Sequence, residues 1–170
     1  MAKKRVGLGS EHPLCDSFQL VMLILYFAVW AIDSLCYFAF EVSAVSIGIN
    51  SFPLLLLPAF LSWSFGIYFE LKSHEAIFEE TTGQPKLNDS GVYSWVRHPM
   101  YLGTLMFCLG FFFIMPSILS LGVWIAFFMF YDKMATYEEK DLIRILGEEY
   151  INYQERVPKW RPTWQRRESE

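Results

Sequence analysis

Two short stretches carry the residue types that do chemistry. Arg97-His98-Pro99-Met100-Tyr101-Leu102-Gly103 brings together a guanidinium, an imidazole and a phenol, and Glu138-Glu139 supplies two adjacent carboxylates. The first stretch sits where a polar segment gives way to a strongly apolar one. Pro99 suits the first position of a helix, where its missing N–H is not needed, and this puts His98 near the N-cap. A helix start offers unpaired N–H groups and a partial positive charge. With Arg97 and His98 beside it, it is a seat for a carboxylate or a phosphate. Glu138 and Glu139 would receive an ammonium or lie near a sulfonium, so a ligand with a carboxylate, an ammonium and an apolar body fits between the two stretches. Each residue taken singly also has an ordinary reading: Arg97 as an interfacial anchor, His98 as a cap, Glu138-Glu139 as a solvated helix face beside Lys140.

The elements that must position these groups follow from hydropathy. The chain is 54% hydrophobic and 18% aromatic, more apolar than an ordinary soluble domain, and its 170 residues are enough for one domain. Helix one is expected over 18–40 and contains a single acid, Asp33. That acid would either touch a substrate or hydrogen-bond a neighbouring helix. The basic start Lys3-Lys4-Arg5 precedes a run too long for a signal h-region, which reads as a transmembrane anchor. Helix two is expected over 52–71, with Pro53 in its first turn and a bend at Pro58. The polar segment 72–97 holds two loop signals, Thr82-Gly83-Gln84-Pro85 and Asn88-Asp89-Ser90-Gly91, and room for a short amphipathic helix over 73–80. Helix three is expected over 99–115, and after a break at Pro116-Ser117 helix four runs from Ile118 to about Tyr137. Beyond it Leu142, Ile143, Leu146, Tyr150 and Tyr153 form a helical stripe that Gly147 interrupts. Cys15, Cys36 and Cys108 read as small buried hydrophobes. The fold expected is all-α and integral to the membrane: about four transmembrane helices, the last two a helical hairpin, with a cytoplasmic C-terminal helical cap.

All 14 Lys and Arg residues fall in three segments, the N-terminal tail, the 72–97 segment and the chain from Lys133 onward. Four spans put these segments on one side, which the positive-inside rule makes the cytoplasm. Arg97-His98 and Glu138-Glu139 then share that side, at the open ends of one hairpin. The net charge of −4 gives no reason to expect nucleic acid as a partner. Gly7-Leu8-Gly9 follows no strand and fails as a dinucleotide fingerprint, and the sequence holds no HExxH, GxSxG or P-loop pattern. No metal site is expected.

At these residues the sequence resembles the isoprenylcysteine carboxyl methyltransferase family, within the wider group of small membrane methyltransferases. The resemblance rests on Gly91-Val92-Tyr93-Ser94-Trp95-Val96-Arg97-His98-Pro99-Met100-Tyr101-Leu102-Gly103. It continues in Glu138-Glu139-Lys140-Asp141-Leu142-Ile143, Gly147-Glu148-Glu149-Tyr150-Ile151-Asn152-Tyr153 and Arg156-Val157-Pro158. It implies a transmembrane enzyme that uses S-adenosylmethionine, whose methionine part has the zwitterionic form described above. Carried over, His98 and Tyr101 hold the cofactor's amino-acid end with Arg97, and Glu138 and Glu139 are essential site acids. The tail from Tyr150 through Tyr153 to Arg156 closes over the cofactor; Arg156, on its charge and not on the resemblance, would steady an anionic substrate group. Residues 91–170 form the cofactor-binding half of a single domain, and residues 1–90 the substrate half. The implied reaction is methyl transfer to a lipid-like acceptor such as the carboxylate of a prenylated cysteine, with a phospholipid amine or a thiol as alternatives. The lipid bilayer and a lipophilic substrate are the expected partners. The membrane would be the plasma membrane of a prokaryote or the endoplasmic reticulum of a eukaryote, with both termini cytoplasmic. The chain departs from the larger eukaryotic members in its fewer spans and in 83–90. Membrane sterol reductases, which resemble the same pattern and bind NADPH, are the rival of another class, and a non-enzymatic scaffold is a third reading.

Overall fold

The computed structural model describes residues 15–40, 52–79 and 87–162. The expected basic tail, the 41–51 turn and the Thr82-Gly83-Gln84-Pro85 loop lie outside these residues. Among the described residues all regular structure is helical: α1 (Cys15–Phe40), α2 (Phe52–Glu79), α3 (Pro99–Ile114), α4 (Ile118–Leu146) and α5 (Glu148–Arg156), with a 3₁₀ turn at Gly91–Ser94. Three of these helices contain stretches long and apolar enough to cross a membrane: Ser17–Tyr37, Pro53–Glu75 and Ile118–Leu146. The 16 residues of α3 span only about 24 Å at 1.5 Å per residue, less than the hydrocarbon core.

Helix α3 is the centre of the fold. On one side it meets α2 at backbone contact, because Gly66 and Gly103 face each other. A Cβ built on Gly66 would lie 2.8 Å from the Phe107 nitrogen, and one on Gly103 would lie 3.0 Å from the Gly66 oxygen. Farther along, Gly110 receives the Trp63 indole, whose ring would stand 2.3 Å from an added Cβ. On its other side, α3 is tied through its own carbonyls. Tyr26 and Trp30 of α1 donate to Cys108 O (2.6 Å) and Phe111 O (3.1 Å), and Trp124 of α4 donates to Leu105 O (2.8 Å). A helix carbonyl has a second lone pair, so these donors are satisfied in an apolar interior without breaking the helix. The order of contacts gives the directions. α1 runs parallel to α3, while α2 and α4 run antiparallel to it, so the N-terminal end of α3 and the C-terminal halves of α2 and α4 share one end of the bundle.

Two boundaries differ from expectation. α2 continues through 73–79 as one helix with Pro58 inside it, rather than ending near Leu71. α4 does not stop near Tyr137 but runs to Leu146, where Gly147 (φ +60°) ends it. Hydropathy falls at Tyr137, but no residue there breaks a helix. The stripe also folds on itself across Gly147: Leu142, Ile143 and Leu146 pack against Tyr150, Tyr153 and Val157, with Leu87. Phe111, the centre of ring contacts with Phe27, Trp30, Trp63 and Phe107, and buried Phe127 serve packing. Cys108 is buried and Cys36 half-buried, both free thiols. Asp33 keeps Oδ2 buried with no hydrogen-bond partner, one turn beyond Trp30 and towards the far end of α3.

Candidate functional site

The two motif stretches meet. The segment 87–98 is set by Asn88, whose Oδ1 accepts from Ser90 N (3.1 Å), and by Gly91, whose φ of +56° favours a residue without a Cβ. Val92 and Val96 are buried against Phe69 of α2, which aims Arg97 and His98 across the start of α3 at the inner face of α4. There Glu138 and Glu139 lie within the helix rather than at its end, so their backbone is rigid.

His98 is the N-cap residue of α3 but makes no side-chain cap bond. Its ring instead stands between the two acids, with Nε2 3.0 Å from Glu139 Oε1 and Nδ1 3.7 Å from Glu138 Oε2. Tyr101 donates its hydroxyl to Glu138 Oε1. Arg97 Nε donates to Glu139 Oε1 at 2.9 Å. Arg97 and Glu139 are 12% and 11% exposed, so the charged pair is held in a largely dehydrated place. The rings continue inwards as a stack: His98 on Tyr101 (5.7 Å, 5°), Tyr101 on Tyr131 (4.4 Å, 15°), and Tyr131 on Phe127 (4.5 Å). This stack fixes the imidazole plane from behind.

Arg97 also holds the tail. Its Nη1 donates to Gln154 O (2.9 Å) and Val157 O (2.8 Å), and its backbone N–H donates to Pro158 O (3.0 Å). These carbonyls lie at the C-terminal end of α5, where the helix dipole favours a cation. Tyr150 and Tyr153 are buried on α5, and Tyr153 donates to Tyr93 O at 2.7 Å. Burial pushes both phenols well above their ordinary range, and the Glu139 carboxylate adds to this at Tyr150. They therefore stay neutral and fasten the tail.

Arg156 is not brought to the cluster. It is an exposed side chain whose Nε donates to Asn152 O (2.9 Å) and whose Nη2 is 4.0 Å from Asp89. The i−4 carbonyl lies within reach on its own helix, and α5 points this face outward.

The sequence reading missed the latch beyond α5. Lys159 Nζ reaches Asp132 Oδ1 (2.7 Å), Asp132 O (2.9 Å) and Thr136 Oγ1 (2.8 Å), and Trp160 Nε1 donates to Asp132 Oδ1 (2.8 Å). The Trp160 ring packs on Phe128 and faces His98 at 6.0 Å. An aromatic residue in a basic tail just after Val-Pro was the available signal. Among the described residues no group of His, Cys, Asp or Glu could hold a metal ion.

The cluster and the fold can be set beside known proteins. Residues 49–149 match the model of the phospholipid methyltransferase (PEMT) family, more than half of the chain. The protein-S-isoprenylcysteine O-methyltransferase of Xenopus laevis is 36% identical over 80 residues, covering 46% of this chain and 28% of that protein. The methanethiol S-methyltransferase of Crocosphaera subtropica is 31% identical over 158 residues, covering 88% of this chain and 58% of that protein. The chain therefore spans under two thirds of the relatives it matches. The structure of a eukaryotic intramembrane Ras methyltransferase (isoprenylcysteine carboxyl methyltransferase) superposes with a TM-score of 0.57 over 84% of this chain and 51% of that one, at 22% identity, which is a likeness of fold. With motif residues, family model and fold in agreement, the chain belongs to the phospholipid methyltransferase and isoprenylcysteine carboxyl methyltransferase family of small membrane proteins.

Proposed function

We propose that this protein is an S-adenosylmethionine-dependent methyltransferase that acts on a lipophilic acceptor at a membrane. The carrying observation is the cluster in which His98 stands between Glu138 and Glu139 while Arg97 shares the Glu139 carboxylate. Two acids, an arginine, an imidazole and a phenol in one place suit a ligand that carries an ammonium, a carboxylate and a sulfonium. Glu138 and Glu139 would take the ammonium side, and His98, Tyr101 and Arg97 the carboxylate side. Bound there, the cofactor supplies an electrophilic methyl group. The protein's own part is to hold that end of the ligand rigidly and to keep water out through the tail that Arg97 and Lys159 fasten, which favours in-line displacement. Tyr150 and Tyr153 act by securing this cover, and Arg156 at the exposed rim meets anionic groups outside the cluster.

In the same reading all four long helices cross the bilayer, α3 by virtue of local thinning, with α3 and α4 as a hairpin, α5 as a cytoplasmic cap and both termini cytoplasmic. The segregation of basic residues supports that orientation. A second acceptor class is favoured by a specific observation. The match to the methanethiol S-methyltransferase runs through 88% of this chain, including the first half, whereas that to the isoprenylcysteine enzyme covers 46%. A thiol thus stands beside a prenylcysteine carboxylate and a phospholipid amine.

The test is titration of the purified protein with S-adenosylhomocysteine and with NADPH, followed by labelled-methyl transfer to prenylcysteines, phospholipids and thiols. Binding of S-adenosylhomocysteine with transfer to one of these acceptors is expected. A melting shift with NADPH alone would sink the reading in favour of a reductase.

A further inference from the structure

The cluster accounts for the cofactor's end of the site but not for Glu70. This acid lies in α2 within the membrane-crossing stretch Pro53–Glu75. An ionisable residue in such a place is costly unless it has a partner or a task. Its carboxylate rests over Gly103: an added Cβ there would be 3.1 Å from Glu70 Oε2. The Thr104 hydroxyl lies 3.5 Å from the same Oε2 and shares its proton with Met100 O of its own helix at 3.2 Å. Oε1 is 3.5 Å from His74 Nε2, and the Glu70 side chain is 37% exposed.

Thr104 follows Tyr101 by one turn of α3, about 60° round the axis and roughly 4.5 Å deeper. Tyr101, bonded to Glu138, and Thr104, beside Glu70, are therefore i, i+3 neighbours on α3. α2 packs on α3 and α1 on α4, so Glu70 stands on the α2 flank of the cluster.

We propose that Glu70 is the acceptor-side residue of the methyl-transfer site and that it selects a neutral thiol over a carboxylate. This rests on the methyl-transfer reading above. A fixed carboxylate beside the acceptor repels an anionic nucleophile. A neutral thiol has the opposite need, because the thiolate is the nucleophile and the proton must go somewhere. Glu70 takes it. The S–H bond breaks, its proton passes to the Glu70 carboxylate and its electron pair stays on sulfur. That sulfur forms the S–CH3 bond while the donor's C–S bond breaks and leaves its pair on the former sulfonium. His74, half-exposed and 3.5 Å away, is the next group outward for the proton. Thr104 orients the carboxylate.

The test uses the full chain in nanodiscs and the variant Glu70→Gln, which keeps the shape against Gly103. With an alkyl thiol, which is un-ionised at neutral pH, the variant should be at least tenfold slower in kcat, in line with general-base effects. With an electron-poor aryl thiol, already a thiolate, it should be as fast as the parent or faster. S-adenosylhomocysteine affinity should stay within twofold. A prenylated thioether carboxylate should bind Glu70→Gln more tightly than the parent. Glu70→Asp should restore part of the alkyl-thiol rate. Should Glu70→Gln not fold, Thr104→Val should give a smaller loss with the same split between the two thiols. Equal effects on both thiols, no effect on either, or efficient methylation of the carboxylate by the parent would overturn the assignment. Failure of the parent to bind S-adenosylhomocysteine would overturn the methyl-transfer reading and this proposal with it, whereas intact binding with an unsplit thiol response overturns the role of Glu70 alone.

Discussion

Arg97 and Glu139, on different elements, form the joint between the site and its cover. The 2.9 Å bond from Arg97 Nε to Glu139 Oε1 fixes the guanidinium, and its Nη1 is thereby aimed at the carbonyls of Gln154 and Val157. The residue that flanks the site on one side thus holds the tail shut on the other. Lysine offers a charge but not a planar fork that serves three acceptors at once.

Arg97→Ala should cost about 3 kcal/mol, the scale for stripping one partner from a buried ion pair. Arg97→Lys should cost about 1–2 kcal/mol. Both should make the 157–162 segment cleavable by protease before the helices melt. A variant that melts earlier but keeps this segment protected would show that Arg97 does not fasten the tail.

The two acids should separate. Glu139 partners Arg97, so Glu139→Gln is expected to lower the melting temperature and weaken S-adenosylhomocysteine binding together. Glu138 is held by Tyr101 and lies 3.7 Å from His98. Glu138→Gln should leave the melting temperature within about 2 °C, yet reduce affinity by tenfold or more, the scale of one charged hydrogen bond. Equal affinity in Glu138→Gln, measured by calorimetry, would remove Glu138 from the ligand.

The α2–α3 crossing depends on absent side chains. Gly66→Ala would set a methyl 2.8 Å from a backbone nitrogen, which cannot move aside as a side chain can. A loss of about 1–3 kcal/mol is expected, with Glu70 displaced from Thr104 as a consequence. Thermal unfolding in detergent measures the first. A preserved split between the thiols in Gly66→Ala would exclude the second.

What the sequence revealed and what it hid divide along one physical line. Local signals were legible. Pro99 gave the start of α3, Pro116-Ser117 gave the break before α4, and Gly147 gave the interruption before α5. Counting helices and basic residues put His98 and Glu138-Glu139 on one side, and the family resemblance joined them into one site. Pairings across the bundle were not legible. Gly66 with Gly103, Glu70 with Thr104, and Lys159 with Asp132 are each unremarkable residues until the helices are placed side by side. The end of α4 was misjudged at Tyr137 because a fall in hydropathy marks the edge of a membrane, not the end of a hydrogen-bonded ladder.

Gly147 takes φ +60° with ψ −130°, a conformation that costs other residues of order 1–3 kcal/mol. Gly147→Ala should therefore loosen α5 and expose Tyr150 and Tyr153. Hydrogen exchange should speed up in 148–157 while α3 keeps its protection. Unchanged exchange in α5 would show that the junction tolerates a Cβ.

The latch at Asp132 offers the clearest distinction between holding the ligand and covering it. Trp160 places its ring on Phe128 and towards His98 and its N–H on Asp132, while Lys159 grips the same carboxylate. None of these contacts belongs to the pairings among Arg97, His98, Tyr101, Glu138 and Glu139. Trp160→Ala should therefore leave those pairings intact and cost about 2 kcal/mol from lost packing of a half-buried ring. If the segment is a cover, S-adenosylhomocysteine should dissociate several-fold faster from Trp160→Ala while its association rate changes little, because closing follows binding. Lys159→Ala should show the same pattern more weakly, since an ion pair with a half-exposed carboxylate contributes little. If both rates fall together, the tail forms part of the binding surface itself. A pure rise in dissociation makes it a lid, with Arg97 its fixed end and Asp132 its catch.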